Sequence, residues 1–366
     1  MKGIYIHIPF CVQKCRYCDF VSYSGKTEYT DAYLDALFGE MQNYKGESAD
    51  TVFIGGGTPT ILSAVQLKKL IRKCFENFDI SKEYEFSIEA NPGTLDDEKA
   101  KTLLSEGVNR ISVGVQSFND NELKAIGRIH SAKTAYNTIC RLKELGFENI
   151  NADIMTALPN QTAQSLMKTV ETAVTLPVTH ISAYSLIIED GTPMAEDYKN
   201  KKFAFADDDA DRDMYALVSK RLAESGFKRY EISNYAKDGF ECRHNIKYWQ
   251  CREYIGLGAA AHSYDGEGRC FNTSDLSEYI SGNFNKNSEK LTREDKISEF
   301  IFMGMRMEKG IDRSEFFKRF GTEIENIYGE TIDKFIKGGF IVQENSCYRF
   351  TDKGRDVSNS VLCEFV

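Results

Sequence analysis

Short runs of β-branched and aromatic residues alternate with longer stretches of helical periodicity from the start of the chain to about residue 190. This alternation is typical of βα units that build a parallel sheet. Helical periodicity is clearest over residues 29–44, 64–75 and 134–145. The predicted strands are residues 4–8, 51–54, 85–90, 110–115, 149–155 and 180–186.

Polar and glycine-rich residues follow most of these strands, at 9–18, 55–59, 89–92 and 116–119, and Asp153 lies inside the fifth strand. Periodicity alone leaves an open doubly wound sheet and a partial barrel as alternatives. A barrel of parallel strands has its active site at the carboxyl ends of the strands, which is where these residues fall. We therefore predict an α/β fold with a partial (β/α)6 TIM-like barrel over residues 1–230.

The pattern changes after the barrel. Residues 231–289 are predicted to form a connecting segment, and residues 290–366 a small winged-helix-like α+β domain. This last region has 13 Lys or Arg against 14 Asp or Glu, whereas a DNA-reading wing is normally basic. We expect it to pack on the barrel. Its predicted elements are helices at 295–307, 313–320 and 324–337, and a hairpin at 340–350.

Composition and net charge limit the kinds of molecule that this protein is expected to bind. The 366-residue chain has a formal net charge of -9 and a sequence pI near 5.3, so its overall field repels nucleic-acid backbones. No segment reaches the roughly 18 apolar residues that a membrane span needs, and the first residues do not resemble a signal peptide. We expect a cytoplasmic protein, without a nucleic-acid partner, whose ten cysteines are reduced.

Three cysteines crowd into the segment CVQKCRYC, at Cys11, Cys15 and Cys18. Thiolates are the usual ligands of iron-sulfur clusters, and a four-iron cube with three of them has one open iron. That iron can bind the amino and carboxylate groups of S-adenosylmethionine. A zinc site would need a fourth ligand such as His7, and its cysteines are more often spaced as CxxC pairs. We predict a 4Fe-4S cluster.

Other candidate binding residues follow the later strands. In FIGGGTPT, residues 53–60, the glycines permit close approach of a ligand to the backbone. Polar side chains follow or lie in the third to fifth strands, and each of them could equally be a structural hydrogen-bonding group. They are Glu89, Gln116, Arg128 and Asp153.

The whole chain resembles radical SAM proteins of the oxygen-independent coproporphyrinogen III oxidase type. The resemblance rests on YIHIPFCVQKCRYCDF, GGGTPT, SIEANP, GVQSF, ISAYSLIIEDGTP and the C-terminal region. It implies a barrel of the radical SAM type, a 4Fe-4S cluster on the three cysteines and, from the superfamily, an electron donor such as a flavodoxin. It also implies an S-adenosylmethionine pocket lined by Tyr5, Gly56, Gly57, Thr58, Glu89, Gln116, Arg128 and Asp153.

Three features separate the chain from the oxidases. The oxidases have a fourth cysteine where Phe20 stands here, and a long extension for which the position of Cys11 leaves no room. The third feature is RHNIKYW, residues 243–249, which resembles the HNxxYW motif of heme chaperones called HemW. This resemblance implies that His244 is a ligand of heme iron and that Tyr248 and Trp249 pack on the porphyrin. A buried His-Asn pair with two core aromatic residues is the alternative.

Two functions follow from the resemblance. The first is a heme chaperone that binds heme and transfers it to an acceptor protein, on a scaffold that binds S-adenosylmethionine and is expected to be able to cleave it. The alternative is an oxygen-independent coproporphyrinogen III dehydrogenase, which Phe20 and the missing extension disfavour. Whether S-adenosylmethionine is cleaved during heme handling stays open, and so does the role of Cys242, Cys251, Cys270 and His262.

Overall fold

All six predicted strands lie in one twelve-stranded sheet in a computed structural model that describes residues 1–284 and 287–365. They run parallel in chain order, each paired with the next. Most of their residues are buried, as is typical of a parallel sheet covered by helices. We name them β1 to β6: Lys2–Ile8, Ser48–Gly56, Asp79–Ala90, Arg110–Gln116, Asn149–Thr156 and His180–Ser185. The predicted α/β fold is confirmed.

Helices follow each of these strands and cover the sheet. Several begin at a side chain that caps the first turn: Ser63, Asp96, Ser131 and Thr162 each accept a hydrogen bond from a backbone N–H three residues later. The helices are Thr30–Gln42, Ala64–Asn77, Asp97–Ser105, Asp120–Ala125, Ala132–Leu145, Ala163–Thr175, Pro193–Lys199 and Asp208–Glu224. Two 3-10 turns precede the first two of them, at Thr27–Tyr29 and Pro59–Ile61.

The sheet continues beyond both β1 and β6. Tyr254–Leu257 pairs parallel with β1, so it is a seventh parallel strand that the sequence analysis missed. Asn234–Ala236 pairs antiparallel with β6, and the strand Lys228–Arg229 pairs antiparallel with Asn234–Ala236 at the outer edge of the sheet. On the other side the sheet ends with the antiparallel strands His262–Tyr264, Gly268–Phe271 and Asn287–Lys290. The strand order is linear, which agrees with a partial barrel.

Residues 231–289 therefore add strands to both sides of the barrel sheet, and they also form the helices Arg243–Trp249 and Leu276–Ile280. The predicted domain boundaries at residues 230 and 290 stay predictions. Near the start of the chain, Phe10–Cys11 and Tyr23–Ser24 form a separate two-stranded sheet that closes the loop with the three cysteines.

The C-terminal region has its own hydrophobic core, which includes Ile301, Phe316 and Leu362. Its predicted helices and hairpin are present. A short third strand completes an antiparallel sheet in which Cys347–Phe350 is central, between Ile311–Asp312 and Ile341–Glu344. The helical elements are Arg293–Gly304, Arg313–Phe320, Glu325–Lys337, Asp352–Asp356, Ser358–Leu362 and the 3-10 turn Cys363–Phe365. Within the described residues, no helix has the length and apolarity required to cross a membrane.

Candidate functional site

The loop with the three cysteines is anchored at several points. The N–H of Tyr23 donates to the carbonyl of Pro9 at 2.6 Å, and the N–H of Arg16 donates to the carbonyl of Ile126 at 3.1 Å. The guanidinium of Arg16 also donates to the carboxylate of Asp197 at 2.7 Å. These contacts hold the loop across the carboxyl end of the barrel, although few of its residues belong to a helix or strand.

The three thiols line one cavity of about 420 Å³. The hydroxyl of Thr58 lies 3.5 Å from the sulfur of Cys11, and the guanidinium of Arg128 lies 3.5 Å from the sulfur of Cys15. Burial raises the pKa of the Cys11 and Cys18 thiols. Soft sulfur donors supplied by one loop fit an iron-sulfur cluster. Within the described residues, no three His, Cys, Asp or Glu side chains are arranged to hold a single metal ion.

The glycines at the end of β2, Gly56 and Gly57, lie directly against β1 and the cysteine loop. Gly56 has a φ of +108°, and a Cβ at this position would lie 2.5 Å from the ring of His7. A Cβ on Gly57 would lie 2.8 Å from the carbonyl oxygen of Phe10. The backbone N–H of Gly56 donates to the carboxyl of Glu89 at 3.1 Å. Only glycine fits here, so the backbone itself forms part of the cavity wall.

Two half-buried carboxyl groups, those of Glu89 and Asp153, face the cavity. Burial, with a smaller contribution from Asp153, raises the pKa of Glu89 to about 8. Burial also raises the pKa of Asp153, although Asp153 accepts hydrogen bonds from Ser112 at 3.2 Å and Asn151 at 2.6 Å. At neutral pH, Glu89 is therefore mainly protonated in the ligand-free protein.

Arg128 and Gln116, the last residue of β4, also line this cavity. Arg128 donates to the carbonyl of Gly114 at 2.5 Å, and its buried Nε has no hydrogen-bond partner among the described residues. Gln116 has a φ of +65°, and its side-chain oxygen accepts a hydrogen bond from Tyr184 at 3.0 Å. An unpaired buried donor and a strained backbone are features that often mark ligand sites.

Of the eight residues predicted to line an S-adenosylmethionine pocket, all except Tyr5 line this cavity together with the thiols. Tyr5 faces a second cavity, and its hydroxyl lies 2.9 Å from Nδ1 of His7. The sequence analysis missed further polar lining residues, although they occupy alternate positions along β4 to β6. That period of two, typical of residues facing the inside of a barrel, was the available signal. They include Ser112, Asn151, Ser182 and Tyr184.

The second cavity has a volume of about 780 Å³ and adjoins the first, because Phe20 and Asn245 line both. Its walls come from β1, the end of the cysteine loop, the helix Arg243–Trp249, the following hairpin and the C-terminal helix Arg293–Gly304. Tyr248 and Trp249 line it, as expected of residues that pack on a flat ligand. His244 does not line it.

His244 lies on the buried side of the helix Arg243–Trp249, and both of its ring nitrogens are hydrogen-bonded. Nδ1 lies 2.9 Å from the hydroxyl of Thr51, and Nε2 lies 2.8 Å from the hydroxyl of Tyr248. Its ring stacks on Phe53 with centroids 5.3 Å apart. Burial lowers the pKa of His244 to about 3. The role of His244 as a heme ligand stays a prediction, and in this conformation the residue connects the helix to β2.

The remaining cysteines near this motif are in different environments. Cys242 is buried, with its sulfur 3.6 Å from the carboxylate of Glu85. Cys251 lines the second cavity with His262. Cys270 lies opposite Ser263 in the adjacent hairpin. Cys251 and His262 thus share a cavity that Cys242 does not line.

Comparisons with known proteins agree with this architecture. Residues 5–173 match the Radical SAM superfamily, and residues 291–357 match the HemN C-terminal domain. The chain is 38% identical to the heme chaperone HemW of Lactococcus lactis, covering 100% of this chain and 97% of the relative. It is also 38% identical to HemW of Bacillus subtilis, with 100% and 99% covered, and 33% identical to HemW of Escherichia coli, with 98% and 97% covered.

Among solved structures, coproporphyrinogen III oxidase (HemN) from Escherichia coli, a radical SAM enzyme, superposes with a TM-score of 0.86. The two sequences are 23% identical, and the match covers 100% of this chain and 90% of the other. At this identity the match shows a shared fold. The full-length relatives show that the chain belongs to the family of the heme chaperone HemW within the radical SAM superfamily.

Proposed function

We propose that this protein binds heme and transfers it to an acceptor protein. We further propose that its barrel holds a 4Fe-4S cluster on Cys11, Cys15 and Cys18, with S-adenosylmethionine beside it. The observation that carries the proposal is the pair of adjoining cavities, one lined by thiols and polar groups and the other mainly by aromatic and apolar side chains. The full-length relatives named heme chaperone support it.

In the first cavity, the residues bind and orient the proposed cofactors. When bound, the cluster supplies the electron that can break a carbon-sulfur bond of S-adenosylmethionine. The exposed backbone of Gly56 and Gly57 permits close approach of the amino-acid part of the ligand. Glu89 is protonated in the empty cavity and loses its proton when a cationic group binds beside it, because the opposite charge stabilises the carboxylate. Asp153 offers a second acceptor for hydroxyl groups.

Gln116 and Arg128 also hold the adenosyl ligand. Arg128 lies 3.5 Å from the sulfur of Cys15, so its positive charge is placed where it would stabilise a negatively charged cluster held on the three thiols. An external electron donor such as a flavodoxin, an acceptor protein for heme and a cytoplasmic location are part of the proposal.

The first test is heme titration of the full chain after anaerobic cluster reconstitution. We expect a Soret band that saturates stoichiometrically with added heme. Measuring 5'-deoxyadenosine with and without heme shows whether the adenosyl ligand is cleaved. A cluster-loaded chain that binds no heme contradicts the proposal, and conversion of coproporphyrinogen III to protoporphyrinogen would establish the alternative dehydrogenase.

The second test concerns the cluster. Cys15→Ser removes one thiol of the set, so reconstituted iron and its visible absorption are expected to fall several-fold, because a cluster with two thiolate ligands is poorly held. Cys363 is an exposed cysteine of the C-terminal region, so Cys363→Ser is the matched control and should keep the iron content of the unmodified chain. Equal iron in the two variants would show that the cysteine loop does not hold the cluster.

A further inference from the structure

The second cavity has the chemical features of a heme site, but the sequence motif does not supply its ligand. Its volume lies within the range of roughly 300–1,000 Å³ that is usual for small-molecule sites. Apolar surface predominates, and flat aromatic side chains form much of the wall, which suits a porphyrin face. They are Tyr248, Trp249, Tyr254 and Tyr264.

His262 is the histidine best placed to bind an iron in this cavity. The chain has five histidines, and the other four are buried. His7 also lines the cavity, but its Nδ1 lies 2.9 Å from the hydroxyl of Tyr5 and its Nε2 lies 2.8 Å from the carbonyl of Val21. His262 is exposed, and among the described residues its ring nitrogens have no hydrogen-bond partner.

The hairpin holds the ring of His262 in place without using its nitrogens. The ring stacks on Phe271, with ring centroids 5.1 Å apart and an interplanar angle of 23°. His262 and Phe271 are directly opposed in the antiparallel pair His262–Tyr264 and Gly268–Phe271. Partial burial, and to a smaller extent the charge of Arg269, lowers the pKa of His262. Its imidazole is therefore neutral at pH 7, which is the form that binds metals.

The other donors on the cavity wall are less suited to bind iron. Burial raises the pKa of the Cys251 thiol to about 11, which disfavours the thiolate that binds heme iron. Burial also raises the pKa of the Tyr254 and Tyr264 hydroxyls. Met303 offers a thioether, which in heme proteins usually accompanies a histidine.

The rim of the cavity carries a cation that could bind a heme propionate. Arg252 lines the cavity and pairs with Glu315 at 3.3 Å, with half of the arginine side chain exposed. Exposed pairs of this kind contribute little free energy, so Arg252 can exchange its partner for a ligand carboxylate. Arg269, also on the wall, donates through two guanidinium nitrogens to Glu299 and is held more firmly.

We propose that heme binds in this second cavity, with its iron on the imidazole of His262 rather than of His244 and a propionate on Arg252. This inference rests on the proposed function, since it specifies where heme binds. His262→Ala is a suitable test because an exposed side chain can be removed with little effect on folding.

The experiment is heme titration of the full chain, recording absorption and electron paramagnetic resonance spectra. His262→Ala should shift the Soret band and raise the Kd about 10-fold or more, as expected for the loss of a metal ligand, and added imidazole should restore the original spectrum. His244→Gln, if circular dichroism shows it folded, should keep the Soret position. Arg252→Ala should raise the Kd, whereas Arg72→Ala should not, because Arg72 belongs to a distant exposed pair with Glu106.

The outcomes separate this inference from the function. If the unmodified chain binds no heme, the proposed function fails. If it binds heme and His262→Ala keeps the same spectrum and affinity, the function stands and the assignment of His262 is wrong. A Soret shift in folded His244→Gln, or a thiolate spectrum that Cys251→Ala abolishes, would likewise contradict it.

Discussion

The thiol-lined cavity and the aromatic-lined cavity share Phe20 and Asn245, yet their walls are assembled in different ways. The first is built mainly from residues that follow or face inward from six successive strands. The second brings together β1, the cysteine loop, one helix, a hairpin and a C-terminal helix. A repeated βα pattern thus places polar groups in one predictable region, whereas the second cavity depends on how separate segments pack.

The largest effect is expected where the backbone itself forms the wall of the first cavity. Gly56→Ala adds a Cβ at 2.5 Å from the ring of His7 and at a φ of +108°. We expect a loss of about 3 kcal/mol of unfolding free energy, measured by urea denaturation. Gly39→Ala is the control: it lies in the helix Thr30–Gln42 with no atom within 4 Å of a Cβ, so a gain of about 0.5–1 kcal/mol is expected. Equal changes in unfolding free energy in the two variants would contradict the conclusion that only glycine fits at position 56.

Replacing each of the two histidines near the second cavity should change the free energy of unfolding by a different amount. His244→Ala removes a buried, doubly hydrogen-bonded ring that stacks on Phe53, which should cost about 2–4 kcal/mol. His262→Ala should change stability by less than about 0.5 kcal/mol because the ring is exposed. Denaturation of the ligand-free variants measures both. A larger loss for His262 than for His244 would reverse their assigned roles.

Ionisation of Glu89 in the first cavity should make the stability of the folded protein depend on pH. Its pKa is about 8 in the folded protein and close to the ordinary 4.5 when unfolded, so the folded state holds the additional proton between these values. The contribution of Glu89 to the free energy of unfolding is therefore fully present at low pH and decreases as pH rises from about 4.5 to 8. Glu89→Gln, which stays neutral, should raise Tm by roughly 2 °C or more at pH 9 relative to the unmodified chain, with a smaller difference at pH 5. Parallel Tm profiles across this range would contradict the raised pKa.

The smallest change in stability is expected at Phe20, one of the two residues that line both cavities. Phe20 is 65% exposed, so Phe20→Ala should alter the unfolding free energy by less than about 0.5 kcal/mol. Because its ring lines both cavities, the affinities for heme and for S-adenosylmethionine should both decrease, by about 10-fold or less. Val65→Ala, at an exposed position on the helix Ala64–Asn77, is the control for loss of exposed apolar surface. A decrease in affinity for only one of the two ligands would show that Phe20 contributes to only one of the two sites.

Much of the barrel was predictable because local sequence determines it. A strand buried on both faces has a nearly continuous apolar run, so β1 to β6 could be placed to within a few residues except at the start of β3. Tyr254–Leu257 was not predicted because four residues carry too little periodicity. Its place beside β1 depends on contacts between residues 251 positions apart in the chain, such as Gly3 and Tyr254.

For the first cavity, the amino-acid sequence determined the thiols, the glycines and the polar groups that follow the strands, because parallel strands bring their carboxyl ends to one edge whatever the details of packing. The tertiary structure decided the rest. It turned Tyr5 to the second cavity and buried His244 under hydrogen bonds to Thr51 and Tyr248, while leaving His262 exposed. Which face of a short helix or hairpin is covered depends on residues far along the chain, and no local pattern in HNIKYW or AAHSY contains that information.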